Sequence, residues 1–351
     1  MKVAYRDFIQ FSLNESRSIP RNCDKIDWQD FYKFCLCHSI PGVVLHGLEK
    51  ANLRIPPSIL YEWIGTVEYV KQQNALVNKG SVAVAKWWKE KGCRSVILKG
   101  QANSLMYPHP ELRSPGDIDI WVDDTIINTI KTVLSQYPDA HYSLHHVKMP
   151  IFKDLSVEVH YRPIYLTNWF HDKKLQKYVK SIEGHQFTHK EVLDGHTIGC
   201  LTDDFNVVYQ LLHMYAHFFS TRNNFKQFVD YYYLLKRGIP ENEKKAVVAL
   251  IGELKILKYA QGMMWVMRDI LGLEEKYLVV EPSESVGKAI LRESLHYGKF
   301  SSKKLVFVMQ RFIANIRLAR LFPSQVLISP LFLVWHQWWR LKTWWKLSKK
   351  I

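Results

Sequence analysis

The stretch Arg113-Ser-Pro-Gly-Asp117-Ile-Asp119-Ile-Trp-Val122 decides the fold of this 351-residue chain. Strand side chains alternate between two faces, so Asp117 and Asp119 share one face while the intervening isoleucines share the other. An Asp-x-Asp pattern by itself is common at solvated strand ends. The apolar opposite face indicates instead a strand buried on one side, whose two carboxylates repel each other unless a cation neutralises them.

A second strand of the same kind supplies a third carboxylate. The segment Ser156-Val-Glu158-Val-His160-Tyr161 alternates polar and apolar residues, which puts Glu158 and His160 on one face. Carboxylates on neighbouring strands suit a divalent cation that prefers oxygen ligands, and we expect Mg²⁺ or Mn²⁺. Asp117, Asp119 and Glu158 are therefore the predicted metal ligands and catalytic residues.

A glycine turn precedes the aspartate strand. The apolar run Ser95–Leu98 ends at Lys99-Gly100, and Gln101–Met106 follows with a helical pattern. A strand, a glycine turn and a helix N-terminus bring backbone N–H groups toward a phosphate. Followed by the Asp-x-Asp strand, this order is typical of a site for phosphoryl-group chemistry.

These motifs and their order resemble the uncharacterised bacterial nucleotidyltransferase family of the DNA polymerase β-like superfamily. The motifs that carry the resemblance are Lys99-Gly100, Tyr107-Pro108, Arg113, Gly116-Asp-Ile-Asp119 and Val157-Glu-Val-His160. The resemblance extends from about residue 96 to residue 236, because Leu212–His217 and Phe228–Asp230 are similar to helical motifs of that family. It implies an α+β fold in which a small mixed-sheet, polymerase β-like core is flanked by N-terminal and C-terminal helical regions.

The resemblance implies transfer of a nucleoside monophosphate from a nucleoside triphosphate to an acceptor hydroxyl. Asp117 and Asp119 would bind one metal ion carrying the β and γ phosphates, and with Glu158 a second ion that activates the hydroxyl. Glu158 as general base is the alternative, although a metal-bound carboxylate has little basicity. Arg113 would neutralise phosphate charge, or else form an ion pair with Asp117 or Glu111 that holds its loop.

One departure from the superfamily concerns the glycine turn. Gln101 stands where Ser or Gly usually follows the glycine, and Asp117 comes seventeen residues after Gly100, later than is usual. Lys99, Gln101 and Arg113 are then the predicted donors to the triphosphate, together with the backbone at Gly100.

A helix predicted from Asp203 to about Ser220 carries His213 and His217 one turn apart on a single face. The resemblance puts both histidines, with His160 and Asp230, among the residues that contact the nucleotide or orient the acceptor. The alternative is that the histidines make ordinary hydrogen bonds at a helix interface.

The periodicity of apolar residues divides the chain into three regions. Residues 1–92 are predicted to be helical, with helices at Trp28–Cys35 and 58–91, and residues 202–351 are predicted to be mostly helical. Residues 93–201 alternate strand and helix patterns and form the predicted core.

Three local predictions concern that core and its end. A helix is predicted at 126–137 and a hairpin around Asp194-Gly195, a favoured two-residue turn. A strand at 142–149 would turn His145 and His146 to opposite faces, which argues against a shared site. Thr202 is the predicted N-cap of the following helix.

Composition limits the class of protein. With 47% hydrophobic and 13% aromatic residues, the chain is folded rather than disordered. Its five cysteines are odd in number and contain no Cys-x-x-Cys pair, which argues against a disulfide framework and a cysteine-based zinc site. No secretory signal is visible at the N-terminus, and a cytoplasmic location is expected.

Positive charge is concentrated at the C-terminus. Residues 294–351 contain eleven Lys or Arg and no acid, so the net charge of +15 leaves +4 for the rest of the chain. An amphipathic helix is predicted there, and it is rich in tryptophan and basic residues. Its apolar stripe contains Leu331, Trp335, Trp338, Leu341 and Trp345, and its cations are Arg340, Lys342, Lys346, Lys349 and Lys350.

Such a helix suits peripheral contact with an anionic membrane surface, an acidic partner or a nucleic acid. The alternative is that its aromatic face packs on the protein. The apolar run at 326–335 is far shorter than the ~20 residues of a transmembrane helix, so no membrane span is expected.

Three classes of function remain open. The first is a metal-dependent nucleotidyltransferase whose acceptor is a small molecule or a protein side chain, and all three acids favour it. The second is a non-catalytic nucleotide-binding regulatory protein, which Gln101 and the long motif spacing favour. The third is a nucleic-acid-modifying nucleotidyltransferase, which the basic C-terminus favours.

Overall fold

The structure is a computed structural model that describes residues 1–14, 16–298 and 304–348. It confirms the α+β class, with a small mixed sheet between helical regions. The strands are β1 (Ser95–Ile97), β2 (Ile118–Val122), β3 (His146–Lys148), β4 (Val157–His160), β5 (Lys190–Leu193) and β6 (His196–Gly199). The α-helices are α1 (Val3–Leu13), α2 (Trp28–Cys37), α3 (Pro41–Ala51), α4 (Pro57–Glu90), α5 (Gln101–Ser104), α6 (Ile126–Leu134), α7 (Trp169–Gln186), α8 (Asp203–Phe218), α9 (Phe225–Arg237), α10 (Glu241–Glu253), α11 (Leu257–Trp265), α12 (Glu284–Ser294), α13 (Lys304–Leu318) and α14 (Pro323–Ser348).

The main sheet has the strand order β1-β2-β4-β3, and its central pair β2 and β4 is parallel. The two outer strands pair antiparallel to their neighbours. In the parallel pair Asp119 lies opposite Glu158, and in the outer pair His146 lies opposite His160. This register sets the acid pair and the histidine pair two residues apart along β4.

The sheet separates two apolar clusters. Trp121 belongs to the larger cluster with the helical regions, whereas Ile118 and Ile120 belong to a smaller one. Strand β2 is thus covered on both faces, and the prediction that it is buried on one side only was wrong. The 34-residue helix α4, roughly 50 Å long, enters both clusters, with Trp63 in the larger and Trp88 in the smaller.

Several local predictions are confirmed. Helix α2 and the long helix α4 lie where the apolar spacing predicts them, and α6 occupies most of 126–137. The β5–β6 hairpin turns at Asp194 and Gly195, whose φ angles of +48° and +75° are those that a type I′ turn requires.

Two local predictions were wrong in extent. The strand predicted at 142–149 is limited to β3, because the chain folds back on itself and Tyr142 bridges to Val147. The helix predicted at 101–106 is the single turn α5. Thr202 is the N-cap residue of α8 as predicted, although its hydroxyl accepts a hydrogen bond from Gln186 at 2.7 Å and none from the helix backbone.

The C-terminal helix α14 packs along one face and exposes another. Trp339, Thr343 and Leu347 are buried, so the packed face differs from the predicted apolar stripe. Trp338, Leu341 and Trp345 of that stripe are 55%, 68% and 52% exposed, and Trp335 is partly buried. Lys349, Lys350 and the side chain of Leu331 lie outside the described residues. Among the described helices, none combines the length and apolar composition that crossing a membrane requires.

Candidate active site

A cavity of about 530 Å³ lies between the ends of β2 and β4 and the helices α8 and α9. Its sheet wall carries Asp117, Asp119 and Glu158, the three predicted acids. Its helix wall carries His213 and His217. The structure therefore brings together residues that lie up to a hundred positions apart in the chain.

Asp119 is the most buried of the acids, with 1% of its surface exposed, because β2 is an internal strand. Its Oδ1 lies 3.0 Å from His160 Nε2, and its Oδ2 lies 3.1 Å from Lys99 Nζ. Burial opposes ionisation, but the attraction of Lys99 and the contact with His160 lower the Asp119 pKa to about 2. Asp119 is accordingly a carboxylate at neutral pH.

Lys99 lies between the two aspartates. Besides Asp119, its Nζ lies 3.7 Å from the half-exposed Asp117 Oδ1. Burial lowers the Lys99 pKa, but the attraction of Asp119 and Asp117 outweighs it and raises that pKa above its ordinary value. The ammonium group therefore neutralises part of the charge of the aspartate pair.

Glu158 lies beside two histidines. Its Oε2 is 3.2 Å from His146 Nδ1 and 4.0 Å from His160 Nε2. Burial and the neighbouring Asp119 raise the Glu158 pKa. Glu158 is thus more readily protonated than Asp119, and a cation at the site would favour its charged form.

Arg113 and Asp230 form a buried ion pair at one side of the cavity. Arg113 Nε and Nη2 donate to the two oxygens of Asp230 at 2.7 and 2.8 Å, and both residues are about 5% exposed. Tyr107 and Asn103 donate to the same carboxylate at 2.6 and 3.2 Å. Arg113 therefore forms an ion pair, as the alternative prediction had it, but the partner is Asp230 and not Asp117 or Glu111.

The glycine turn is tightly built. Gly100 has φ of +62°, and a side chain there would approach the Asp117 carbonyl oxygen at 3.2 Å. Gln101 is buried beneath α4, where its amide contacts Asn74 and Asn78, and it does not line the cavity. The expectation that the Gln101 side chain donates to a triphosphate disagrees with this orientation, because the amide points away from the cavity.

The helix wall offers neutral imidazoles and one amine. His213 Nε2 and His217 Nε2 lie 3.2 Å apart. Burial and the charge of Lys99 hold the pKa of His213 well below its ordinary value and lower that of His217 to about 4. Lys226 also lines the cavity, and burial together with Arg113 lowers its pKa to about 8.

The acids fit a divalent cation. Asp119 Oδ2 is buried with no hydrogen-bond donor in suitable geometry, although the Lys99 ammonium lies close to it. Ligand atoms of Asp119, Glu158 and His160 lie within 4.8 Å of one another. Asp117 belongs to no such group among the described residues, but it lies at the cavity edge beside Lys99. A site rich in carboxylate oxygens has the donor set of Mg²⁺ or Mn²⁺.

A family model described as an uncharacterised nucleotidyltransferase matches residues 24–272. The chain belongs to this family. The match includes both walls of the cavity and ends before α12, α13 and α14. No curated protein matches the chain. The crystal structure of an antigenic nucleotidyltransferase-like protein from Paracoccidioides brasiliensis is similar at 13% identity and a TM-score of 0.33, over 51% of this chain and 92% of that one.

Sequence reasoning missed several residues at the cavity of this nucleotidyltransferase family member, three of which carry polar side chains close to the acids or the Arg113–Asp230 pair. Asn103 and Lys226 line it, and so does His145, which the strand pattern had set aside. Lys226 lies one helical turn before Asp230, so helical spacing could have found it. The pattern gave no signal for His145, because the chain fold at 142–148 departs from a regular strand.

Proposed function

We propose that this protein transfers a nucleoside monophosphate from a nucleoside triphosphate to a hydroxyl group of a small molecule or a protein side chain. One observation carries the proposal: the parallel pairing of β2 and β4 sets Asp119 directly opposite Glu158 at the cavity wall. Membership of a nucleotidyltransferase family supports the same reaction class. The expected location remains the cytoplasm.

In the proposed reaction the acceptor oxygen attacks the α phosphorus, the bond to pyrophosphate breaks, and the hydroxyl proton leaves to solvent or a base. Asp117, Asp119 and Glu158 would hold Mg²⁺ or Mn²⁺, which supplies charge stabilisation to the attacking and leaving oxygens. Lys99 is suited to contact phosphate oxygens because its ammonium group lies at the acids and faces the cavity.

The structure supports some of the other predicted nucleotide contacts better than others. The Arg113 guanidinium is engaged by Asp230, so Arg113 is better suited to hold the cavity wall than to bind phosphate. His213 and His217 line the wall across from the acids, where they would contact the nucleotide or orient the acceptor. Lys226 adds a further donor on that wall.

A non-catalytic nucleotide-binding protein is the second candidate, and Lys99 favours it. Its ammonium contacts both Asp117 and Asp119 and can offset their repulsion without a metal ion. The orientation of Gln101 away from the cavity also favours binding without turnover. Pyrophosphate release separates the two candidates.

The first test measures nucleotide binding. Calorimetry with each of the four nucleoside triphosphates should show binding that requires Mg²⁺ or Mn²⁺ and is lost when both Asp117→Asn and Asp119→Asn are introduced. Asp123→Asn is the matched control, because Asp123 follows the same strand but pairs with Arg94 outside the cavity. Equal metal-free binding by wild type and the double variant would sink the assignment.

Catalysis is then tested with labelled nucleotides and cell extract as the source of acceptor. Release of pyrophosphate and transfer of the α-phosphate label are expected from the wild type and not from the double variant. Binding without either product, with every triphosphate and extract, would favour the regulatory protein instead.

We also propose that α14 contacts an anionic membrane surface. Its exposed face carries Trp338, Leu341 and Trp345 beside Arg340 and Lys342. The facing helix α13 exposes further apolar side chains, namely Met309, Phe312, Ile313 and Ile316. Aliphatic groups beside indoles and cations suit a lipid interface better than the stacking of nucleic-acid bases.

A further inference from the structure

Three imidazoles meet at the β3–β4 edge of the sheet. His146 begins β3 and lies opposite His160 at the end of β4, so the two rings share one face. His145 comes directly before β3, and its Nε2 lies 3.1 Å from His146 Nδ1. One ring nitrogen from each of the three histidines lies within 4.8 Å of the other two.

Two carboxylates border this cluster and supply negative charge. Glu158 Oε2 lies 3.2 Å from His146 Nδ1, and Asp119 Oδ1 lies 3.0 Å from His160 Nε2. A cation among the imidazoles would therefore be balanced by groups already in place. Four-coordinate zinc has Zn–N bonds of about 2.1 Å, so its ligand atoms are separated by roughly 3.4 Å.

The outward ring nitrogens have partners of the kind that orient metal-binding histidines. His160 Nδ1 lies 3.3 Å from the Arg162 carbonyl oxygen, which leaves Nε2 facing the acids. His145 Nδ1 lies 3.4 Å from the Ser143 hydroxyl, which leaves Nε2 facing His146. A backbone carbonyl or hydroxyl on one ring nitrogen fixes the other as the ligand.

We propose that His145, His146 and His160 bind a transition-metal ion of the zinc type, with the Glu158 carboxylate beside it. Imidazole ligands favour Zn²⁺, Co²⁺ and Ni²⁺ over Mg²⁺, which prefers oxygen. The site adjoins the proposed Mg²⁺ site and has Glu158 in common with it, but metal binding by the three imidazoles does not depend on nucleotidyl transfer.

Cobalt is the probe that tests the proposal. Chelator-treated, metal-free wild-type protein should bind one equivalent of Co²⁺ with the intense visible ligand-field bands of a four-coordinate nitrogen-containing site, and Zn²⁺ should displace it. His145→Asn and His146→Asn, made separately, should each weaken Co²⁺ binding by more than about 10-fold. Substitution of a residue that only hydrogen-bonds to a metal ligand already lowers metal affinity by at least about 10-fold.

Two control variants make the result specific. His196→Asn replaces an exposed hairpin histidine, and the double variant His213→Asn with His217→Asn removes the other close imidazole pair. Both should retain the Co²⁺ spectrum. Urea denaturation of the same His146→Asn protein checks that it is folded, and Mg²⁺-dependent nucleotide binding by the wild type reports separately on the proposed function.

Three outcomes would overturn the proposal. The first is a wild-type protein that binds no stoichiometric Co²⁺ or Zn²⁺. The second is loss of the spectrum only in the His213/His217 variant, which would move the metal to the helix wall. The third is an unchanged spectrum in both His145→Asn and His146→Asn, which would leave the cluster as hydrogen-bonded histidines.

Discussion

The cavity and helix α14 use charge in opposite ways. In the cavity each of the ionised groups Asp119, Lys99, Arg113 and Asp230 has an opposite charge within 3.1 Å and little or moderate exposure. On α14 the described cations lie at the surface, and residues 294–351 contain no acid. In the cavity the effect of each charge therefore depends on its distance from one partner. On α14 the effect depends on the net charge of the whole segment. Single substitutions should have large effects in the first region and small ones in the second.

The largest effect is expected at Glu158. Glu158→Gln keeps the shape of the side chain and leaves the aspartate pair to hold the nucleotide, so most nucleotide affinity should remain. Turnover should fall by about a thousandfold or more, because charge stabilisation at the reacting oxygens is lost. Steady-state kinetics and calorimetry on one preparation measure the two quantities.

Glu191→Gln is the matched control for that prediction. Glu191 lies on β5, where it pairs with Arg237 outside the cavity. The turnover of the Glu191→Gln variant should therefore equal that of the wild type. Unchanged turnover in Glu158→Gln would remove Glu158 from the mechanism.

The next effect concerns stability rather than turnover. Asp230→Asn leaves the Arg113 guanidinium buried without its counter-charge, which typically costs about 3–5 kcal/mol in the free energy of unfolding. Urea denaturation at pH 7 measures it. Glu284→Gln, at the exposed i,i+4 pair with Lys288, should leave that free energy nearly unchanged.

The same pair predicts a pH dependence. Burial opposes the charge of Asp230, but Arg113 outweighs it and lowers the Asp230 pKa below its ordinary value. The stabilisation is therefore present above about pH 4, the unfolded pKa, and is lost as pH falls through the folded pKa. The unfolding free energy of Asp230→Asn should decline less steeply in that acid range, and an equal decline would contradict this account.

The smallest single-residue effects are expected on α14. Lys342→Gln alone should reduce binding to anionic vesicles by about 1 kcal/mol, whereas Trp338→Ser, Leu341→Ser and Trp345→Ser together should abolish most of it. Binding by the wild type should also fall steeply with salt, as the screening length shortens to about 8 Å near physiological ionic strength. Co-sedimentation with anionic and neutral vesicles measures both.

Tyr61→Ser on α4 is the matched control, because Tyr61 is an exposed aromatic residue remote from the basic segment in sequence. Substitution is preferable to truncation, since Trp339 and Leu347 pack on the protein. If the wild-type protein does not bind anionic vesicles at low salt, α14 is a structural helix. Its positive charge then does not serve membrane binding.

Strand periodicity was enough to predict the acidic wall. Alternation at Asp117–Val122 and Val157–His160 indicates which side chains share a face, and parallel pairing of two buried strands then aligns Asp119 with Glu158. The family resemblance, which rested on the order of motifs between about residues 96 and 236, is confirmed by a family model that matches residues 24–272. The roles of the individual site residues remain predictions.

Contacts made across long stretches of chain could not be predicted in the same way. Arg113 had acidic neighbours in sequence, yet its partner Asp230 lies 117 residues away on another helix. Gln101 occupies a motif position, but α5 is one turn long and packs its amide against Asn74 of α4. In both cases tertiary packing, which local pattern does not encode, decided the direction of the side chain.

Helix α4 has a consequence for folding cooperativity. Its first half packs in the larger apolar cluster around Trp63, and its last turns pack in the smaller cluster around Trp88. Unfolding of this helix would therefore expose apolar side chains of both clusters to water. The sheet and the helical body are therefore expected to unfold together. A destabilising change near Trp63, remote from the cavity, lowers the fraction of molecules that hold an intact β2–β4 pair.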